Sequence, residues 1–208
     1  VLLGDRERRG VNLQDGAAGG AGDRHHLVQQ VLGVRDHRWR TLAKNDPYNT
    51  RMNRTEPDWS QVDTVFVDLD GTLLDLGFDD RFWRGRVPRA FAVRHGLDHD
   101  EAWRRLLELF AATRGTLDWY CIEYWSRALD LDIAALKRAA RHEVAWLPQA
   151  SEFLAAARAS GRRLVLVTNA HPEALAIKDS HAGVTRLLDR AISSHELGAP
   201  KEHAGFWR

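Results

Sequence analysis

The sequence predicts an α/β fold with a parallel sheet and a long helical insertion. Two short apolar runs, VDTVFVDL at 62–69 and RRLVLVTNA at 162–170, are typical of strands buried on both faces. A shorter run, RAISSHE at 190–196, predicts a third strand. Helical patterns lie between these runs, and strands that are joined through helices usually pair in parallel with right-handed crossovers.

Residues 1–58 differ in composition from the rest of the chain. The tract GAAGGAGD is typical of a turn or a flexible segment, and no sustained helical or strand period follows it. We expect a disordered extension, or a spurious one, because the only methionine is Met52 and the sequence from there resembles a natural start. The basic cluster Arg35, Arg38 and Arg40 is a weak basis for nucleic-acid binding.

Helical patterns fill the interval between the first two strands and continue after it. Pro88 is expected to break or kink the first of them. A later helix begins near Pro148 and ends at Gly161, and another begins at Pro172 and ends near Gly183. The four helices predicted before Pro148 cover 80–94, 100–114, 117–129 and 133–142.

The composition narrows the class of protein. The 30 basic and 29 acidic residues nearly cancel, so we expect neither nucleic acid nor a membrane as a partner. The single cysteine, Cys121, excludes an internal disulfide and fits a reducing compartment. No apolar run reaches the roughly 18 residues that span a bilayer. The first residues, VLLGDRERRG, are charged too early for a secretory signal, so we expect a cytoplasmic location.

Polar side chains that can take part in chemistry follow each predicted strand. Asp68 and Asp70 end the first strand, Thr168 and Asn169 end the second, and Lys201 lies beyond the third. Ligands of open α/β sheets bind at the carboxyl ends of the strands. We therefore expect these five side chains to meet in one site, although Thr168, Asn169 and Lys201 taken singly could be ordinary loop or surface residues.

These residue types suit phosphoryl transfer. A carboxylate such as Asp68 can attack an electrophile, while Asp70 can protonate the leaving group and later deprotonate water. Two acids that face an anionic phosphate require a hard cation such as magnesium between them. Thr168 and Asn169 can hydrogen-bond phosphate oxygens, and Lys201 can neutralise the charge of the nucleophile and of the phosphoryl group.

The motifs resemble those of the haloacid dehalogenase-like (HAD) phosphohydrolase superfamily. DLDGT at 68–72, VTN at 167–169 and Lys201 correspond to its first three motifs, and members with an acid at the position of Asp70 are typically phosphatases. Over 59–208, the segments DGTLLDLGFDDRFW, LDWYCIEYW, TNAHPEALAIK and LGAPKEHAGFW resemble the bacterial nucleotidases that act on GMP and IMP. The resemblance implies a Rossmann-like core at 59–75 and 148–208, with an all-helical cap inserted at 76–147.

The resemblance also implies roles for the candidate residues. Asp68 would be the nucleophile of an aspartyl-phosphate mechanism, with Asp70 as the acid and base. Thr168 and Asn169 would hold the phosphate, and Lys201 would stabilise charge. Magnesium would be ligated by the Asp68 side chain and the Asp70 backbone carbonyl, and the substrate would be a purine nucleoside 5'-monophosphate. A phosphatase for a small sugar phosphate or phosphoglycolate, or a non-catalytic nucleotide-binding remnant, stays open.

One motif of the superfamily has no counterpart before Arg208. It is a pair of acids after a further strand, which completes the magnesium site. We therefore expect a C-terminally truncated nucleotidase that binds magnesium poorly and has little or no activity. The strand that bears Asp68 would then form a sheet edge, with exposed apolar surface and a tendency to aggregate.

The predicted cap is rich in aromatic residues, which either contact substrate or fill a small helical core. Trp119 and Tyr120, which follow Asp118, are our candidates for substrate contact. Cys121 is expected to be a small packed residue rather than a nucleophile. His171 either approaches the phosphate or lies at a helix start. The remaining histidines after the first strand, His195 among them, show no metal-ligand spacing. The aromatic-rich helix at 100–114 is expected to pack through Trp103, Leu106, Leu107 and Phe110.

Overall fold

The computed structural model describes residues 58–208, and every structural statement below concerns these residues. Three strands, β1 (Thr64–Val67), β2 (Arg163–Thr168) and β3 (Arg190–Ser193), form one sheet in the order β1-β2-β3. Both pairings are parallel, which confirms the predicted parallel α/β architecture. The prediction of a disordered or spurious N-terminal extension falls, apart from Asp58, outside the described residues.

Seven α-helices are described in this part of the chain. Six lie between β1 and β2, and the last joins β2 to β3. They are α1 (Gly77–Arg81), α2 (Val87–His95), α3 (His99–Thr113), α4 (Ile122–Leu129), α5 (Ile133–Ala140), α6 (Ala150–Ala159) and α7 (Pro172–Ala182). We call residues 76–147 the helical insert, since the first five of these helices lie within that range.

The transition from α1 to α2 differs from the expectation. The chain stays helical through a π-helical turn, Phe82–Arg86, and Pro88 lies in the first turn of α2. A proline at this position costs no backbone hydrogen bond, because the first N–H groups of a helix have no intrahelical acceptor. The predicted break at Pro88 was therefore wrong, and the irregular winding lies in the turn that precedes it.

Local capping accounts for the other helix boundaries. Asp98 and Asp132 accept hydrogen bonds from the N–H groups of Glu101 and Ala135, at 2.9 and 2.7 Å, and so cap α3 and α5. Helix α7 ends at Gly183, whose φ of +67° suits a glycine at this position. These signals lie in the sequence itself, and α3 and α5 begin and end within two residues of their predicted bounds, whereas α4 begins at Ile122 rather than at residue 117.

The core lies on both faces of β2, as the sequence predicted for that strand. Leu164 and Leu166 belong to the main apolar cluster, whereas Val165 and Val167 pack with Phe206 on the opposite face. For β1 the prediction of burial on both faces was wrong, whereas the expected sheet edge with exposed apolar surface is found in the described sheet. Phe66 is 63% exposed, because β1 lies at an edge of the described sheet and no described element covers this face.

The helical insert has an aromatic cluster of its own. Trp125 is fully buried, and its ring lies in edge-to-face contact with Phe110, Trp83 and Trp119, at centroid distances of 5.2, 5.6 and 6.1 Å. Such contacts stabilise a small bundle beyond the area they bury. No helix within residues 58–208 has the length and hydropathy needed to cross a membrane.

Candidate active site

The turn after β1 sets the positions of the two predicted acids. Asp68 directly follows the strand, and the chain then turns back so that the N–H of Gly71 donates to the carbonyl of Leu74 at 2.7 Å. Gly71 has a φ of +78°, and a Cβ there would lie 3.1 Å from a methyl carbon of Leu76. The tight turn therefore requires glycine.

Lys201 reaches Asp68 across the end of the sheet. Its Nζ lies 2.7 Å from Asp68 Oδ1 and donates to the carbonyl of Val167 at 3.0 Å. The backbone N–H of Lys201 donates to Asn169 Oδ1 at 2.8 Å. This hydrogen bond holds Lys201 against the end of β2. The Asp68 side chain remains 39% exposed, so a ligand can reach it.

The end of β2 presents Thr168 and Asn169, which are both buried. Thr168 Oγ1 accepts from the N–H of Ala170 at 3.0 Å. The Asn169 amide nitrogen lies 3.0 Å from each carboxylate oxygen of Glu202, and Tyr120 Oη donates to the same carboxylate at 3.2 Å. Burial, together with the charge of Glu202, raises the pKa of Tyr120 to about 12.

The carboxylate of Asp70 points into a buried ion network rather than toward Lys201. Lys178 Nζ lies 2.6 Å from Asp70 Oδ1 and 2.5 Å from Asp79 Oδ2. Asp79 Oδ1 lies 2.8 Å from Lys137 Nζ. The chain of contacts thus runs from the turn after β1, through α7, to α1 and α5 of the helical insert.

Burial and mutual charge shift the pKa values of this network. Burial raises the pKa of Asp70, and the neighbouring Asp79 adds to the rise, although Lys178 opposes it. Burial alone would also raise the pKa of Asp79, but Lys137 and Lys178 together hold it well below its usual value. The same two carboxylates raise the pKa of Lys178, against the effect of its own burial. Asp79 and Lys178 are therefore charged at neutral pH.

The two aromatic residues proposed for substrate contact lie in different surroundings. Trp119 packs in the aromatic cluster of the insert, with its ring 5.9 Å from that of Phe110, and its carbonyl accepts from Trp125 Nε1 at 2.9 Å. Tyr120, by contrast, donates to the Glu202 carboxylate, which Asn169 also contacts. His171 is the N-cap residue of α7, and Cys121 is the N-cap residue of α4.

The structure thus brings three predicted residues, Asp68, Asn169 and Lys201, into one connected group. Asp70 is adjacent in the chain, but its side chain is engaged elsewhere, by Lys178. Sequence reasoning missed Lys178 and Glu202. A signal for Lys178 was present: it shares the helical spacing of Ala174 and Ile177, so a charged residue lies on the apolar face of α7.

The oxygen atoms at the end of β1 suit a hard cation. The Asp68 carboxylate is partly exposed and supplies the ligand type that magnesium prefers. Because Lys178 engages the carboxylate of Asp70, the backbone carbonyl of Asp70 is the ligand that this residue can offer without breaking the ion pair. The donor set is therefore compatible with the magnesium that the resemblance implies.

The fold and this site define a parallel α/β protein with a carboxylate and a lysine paired at the carboxyl ends of its strands. A family profile described as haloacid dehalogenase-like hydrolase matches residues 65–198. The chain belongs to this family.

Curated relatives agree with that assignment, and a solved structure shares the fold. The chain is 41% identical to the GMP/IMP nucleotidase YrfG of Escherichia coli K12 over 149 residues, which are 72% of this chain and 67% of that protein. The nucleotidase of the same name from Shigella flexneri gives the same values. A crystal structure of a HAD phosphatase from Thermococcus onnurineus superposes with a TM-score of 0.62 at 23% identity, covering 70% of this chain and 68% of that one.

Proposed function

We propose that this chain is a magnesium-dependent phosphomonoester hydrolase that acts on purine nucleoside 5'-monophosphates. The observation that carries the proposal is the 2.7 Å approach of Lys201 Nζ to Asp68 Oδ1 at the carboxyl edge of the sheet, in a member of a hydrolase family. A lysine beside an accessible carboxylate offsets the repulsion between that carboxylate and an anionic phosphoryl group.

In the proposed reaction, a carboxylate oxygen of Asp68 attacks phosphorus and the ester P–O bond breaks. Asp70 gives a proton to the departing oxygen and later takes one from the water that cleaves the aspartyl-phosphate. Burial raises the pKa of Asp70, which is the direction that favours a general acid, but Lys178 opposes the rise and engages this carboxylate at 2.6 Å, so the Asp70 side chain would have to leave Lys178 and turn toward the substrate to act. Lys201 balances the charge that develops on the transferred group.

The phosphate would be held at the end of β2. The Asn169 amide donates to Glu202 at 3.0 Å, and a phosphate oxygen is an acceptor that can take the place of this carboxylate. Thr168 lies beside it. The Asp68 carboxylate and the Asp70 carbonyl would hold magnesium, which, when bound, supplies positive charge against the phosphate oxygens.

The proposed substrate class rests on the 41% identity to a protein named as a GMP/IMP nucleotidase. The helical insert would serve as the cap over the site, as the resemblance implies. Of its two candidate contact residues, Tyr120 is the one that we propose to face the substrate, because its hydroxyl reaches Glu202 beside Asn169. Trp119 instead packs against the rings of Phe110 and Trp125.

The test is phosphate release from GMP in the presence of magnesium, with ribose 5-phosphate as the competing substrate. However low the wild-type rate is, we expect Asp68→Asn to reduce release to the background measured without enzyme, because the amide is a poor nucleophile. Asp63→Asn, an exposed acid just before β1, is the matched control and should keep the wild-type rate. Undiminished release by Asp68→Asn would contradict the mechanism.

The same assay separates the other activities. Faster hydrolysis of ribose 5-phosphate than of GMP would indicate a sugar phosphatase. Binding of GMP in a calorimeter without any release would indicate a non-catalytic nucleotide-binding protein. The low turnover expected of the 208-residue chain stays a prediction, and the wild-type rate measures it directly.

A further inference from the structure

A second group of ligand atoms lies beside the candidate active site. The Cys121 Sγ atom and one ring nitrogen each of His171 and His195 lie within 4.8 Å of one another. Cys121 precedes α4 in the helical insert, whereas His171 follows β2 and His195 follows β3. Among residues 58–208 this is the one group of three or more potential metal ligands with such spacing.

His195 gives the cluster a second, independent observation. Both of its ring nitrogens are buried from solvent, and neither has a hydrogen-bond partner among the described residues. Its ring lies edge-to-face against the ring of His171, at a centroid distance of 4.6 Å. Buried polar atoms are nearly always satisfied, so a water or an ion is expected at this ring, and the thiol and the second imidazole beside it favour the ion.

Glu123 supplies a fourth potential ligand. One carboxylate oxygen lies 2.8 Å from His171 Nε2 and 3.4 Å from Cys121 Sγ. Glu123 lies in the first turn of α4, two residues after Cys121. One thiolate, two imidazoles and one carboxylate make a complete four-ligand set.

We propose that Cys121, Glu123, His171 and His195 bind a zinc-class divalent cation, which links the helical insert to the α/β core. Thiolate and imidazole ligands favour zinc or cobalt, whereas magnesium favours oxygen ligands. The site is therefore chemically distinct from the magnesium site proposed at Asp68, and the inference does not depend on the proposed phosphatase activity.

Binding requires a modest local rearrangement. Tetrahedral zinc ligands at 2.0–2.3 Å from the metal lie about 3.3–3.8 Å apart, so the ligand atoms of Cys121, His171 and His195 must approach one another by up to about 1.5 Å, and the Glu123 carboxylate must turn toward His195. If His171 binds through Nε2, this atom gives up its proton. The ring then carries its proton on Nδ1 and loses the hydrogen bond from the Glu173 N–H, which at 3.3 Å is a long one.

The test uses cobalt as a spectroscopic substitute for zinc, in excess magnesium. We expect one cobalt ion to bind per chain and to give the near-ultraviolet charge-transfer absorption of a thiolate ligand, which added zinc abolishes. Cys121 is the only cysteine in the sequence, so this absorption can arise at no other residue. A wild-type titration without the thiolate absorption overturns the proposal, and no variant is needed for that result.

Variants then identify the other ligands. Cys121→Ser should lose the charge-transfer absorption, and His171→Ala and His195→Ala should each weaken cobalt binding by more than about tenfold. His99→Ala, at an exposed histidine of α3, is the matched control and should bind as the wild type does. Circular dichroism checks that each variant is folded. Unchanged affinity in folded His171→Ala and His195→Ala would also overturn the proposal.

Discussion

Lys178 has two carboxylate partners in a buried setting, which makes it the junction between the turn after β1 and the helical insert. Its Nζ contacts Asp70 and Asp79 at 2.6 and 2.5 Å, and the residue is only 3% exposed. An ion pair of this kind adds little net stability compared with apolar packing, but the removal of one partner leaves a buried charge uncompensated.

We therefore expect Lys178→Met to lower the free energy of unfolding by about 3–5 kcal/mol. Equilibrium unfolding in urea measures this. Asp70→Asn in the same background should recover part of the loss, because it removes the carboxylate that Lys178→Met leaves without its ion-pair partner, whereas Asp79 keeps Lys137 at 2.8 Å. Strictly additive effects of the two substitutions would contradict the view that they act through one network.

The network also predicts a dependence of stability on acid pH. Lys137 and Lys178 lower the pKa of Asp79 in the folded protein below 3.8, its ordinary value, even though burial opposes them. A lowered folded-state pKa stabilises the protein above the unfolded value, and this contribution is lost as the pH falls toward the folded value.

The stability advantage of the wild type over Asp79→Asn should accordingly be full near neutral pH and shrink once the pH falls below about 4. Urea unfolding of both proteins at a series of pH values measures the difference. A difference that stays constant down to about pH 3 would show that the Asp79 charge does not produce it.

At the scale of the elements, the helical insert depends on its aromatic cluster. Trp125 lies at the centre, in contact with rings from α3, from the π-helical turn and from the segment before α4. Trp125→Ala should lower the free energy of unfolding by about 3–5 kcal/mol, since the cavity it leaves cannot close.

Val93→Ala is a suitable control for that experiment. Val93 lies on α2 and is 85% exposed, so its loss should change stability by less than about 0.5 kcal/mol. Equal effects at the two positions would mean that the insert does not gain its stability from the buried rings.

The helices also show how far local signals reach. Asp98 and Asp132 determine where α3 and α5 begin, and Gly183 determines where α7 ends. Each of these residues acts on its nearest neighbours in the chain. The π-helical turn before Pro88 has no such local signal. Phe82, which begins the turn, packs against Phe78 and Trp83 of the insert. Pro88 lies in the first turn of α2, so the rule for a proline in mid-helix did not apply.

At the scale of the whole molecule, β1 both precedes the nucleophile candidate and forms an edge of the described sheet. Phe66 lies on this strand with 63% of its surface exposed. Exposed apolar edge strands favour association with other chains. Phe66→Thr should therefore reduce self-association of the 208-residue chain, as measured by sedimentation velocity, and change its stability by less than about 0.5 kcal/mol.

Val67→Thr is the matched substitution on the same strand. Val67 is 7% exposed and belongs to the main apolar cluster, so its hydroxyl variant should destabilise the fold by about 1–3 kcal/mol. If Phe66→Thr destabilises the chain as much as Val67→Thr does, Phe66 is not the surface residue that the structure describes.

The sequence by itself determined the parallel α/β class, the strand ends and the acids that follow them, because these depend on short apolar runs and on the residues next to them. Only the tertiary structure decided which side chains meet. Lys201 pairs with Asp68, Lys178 holds Asp70 against the insert, and Cys121 comes to His171 and His195 from a different part of the fold. The reason is that these contacts join residues far apart in the chain, and their distances depend on how helices pack on a sheet rather than on local sequence.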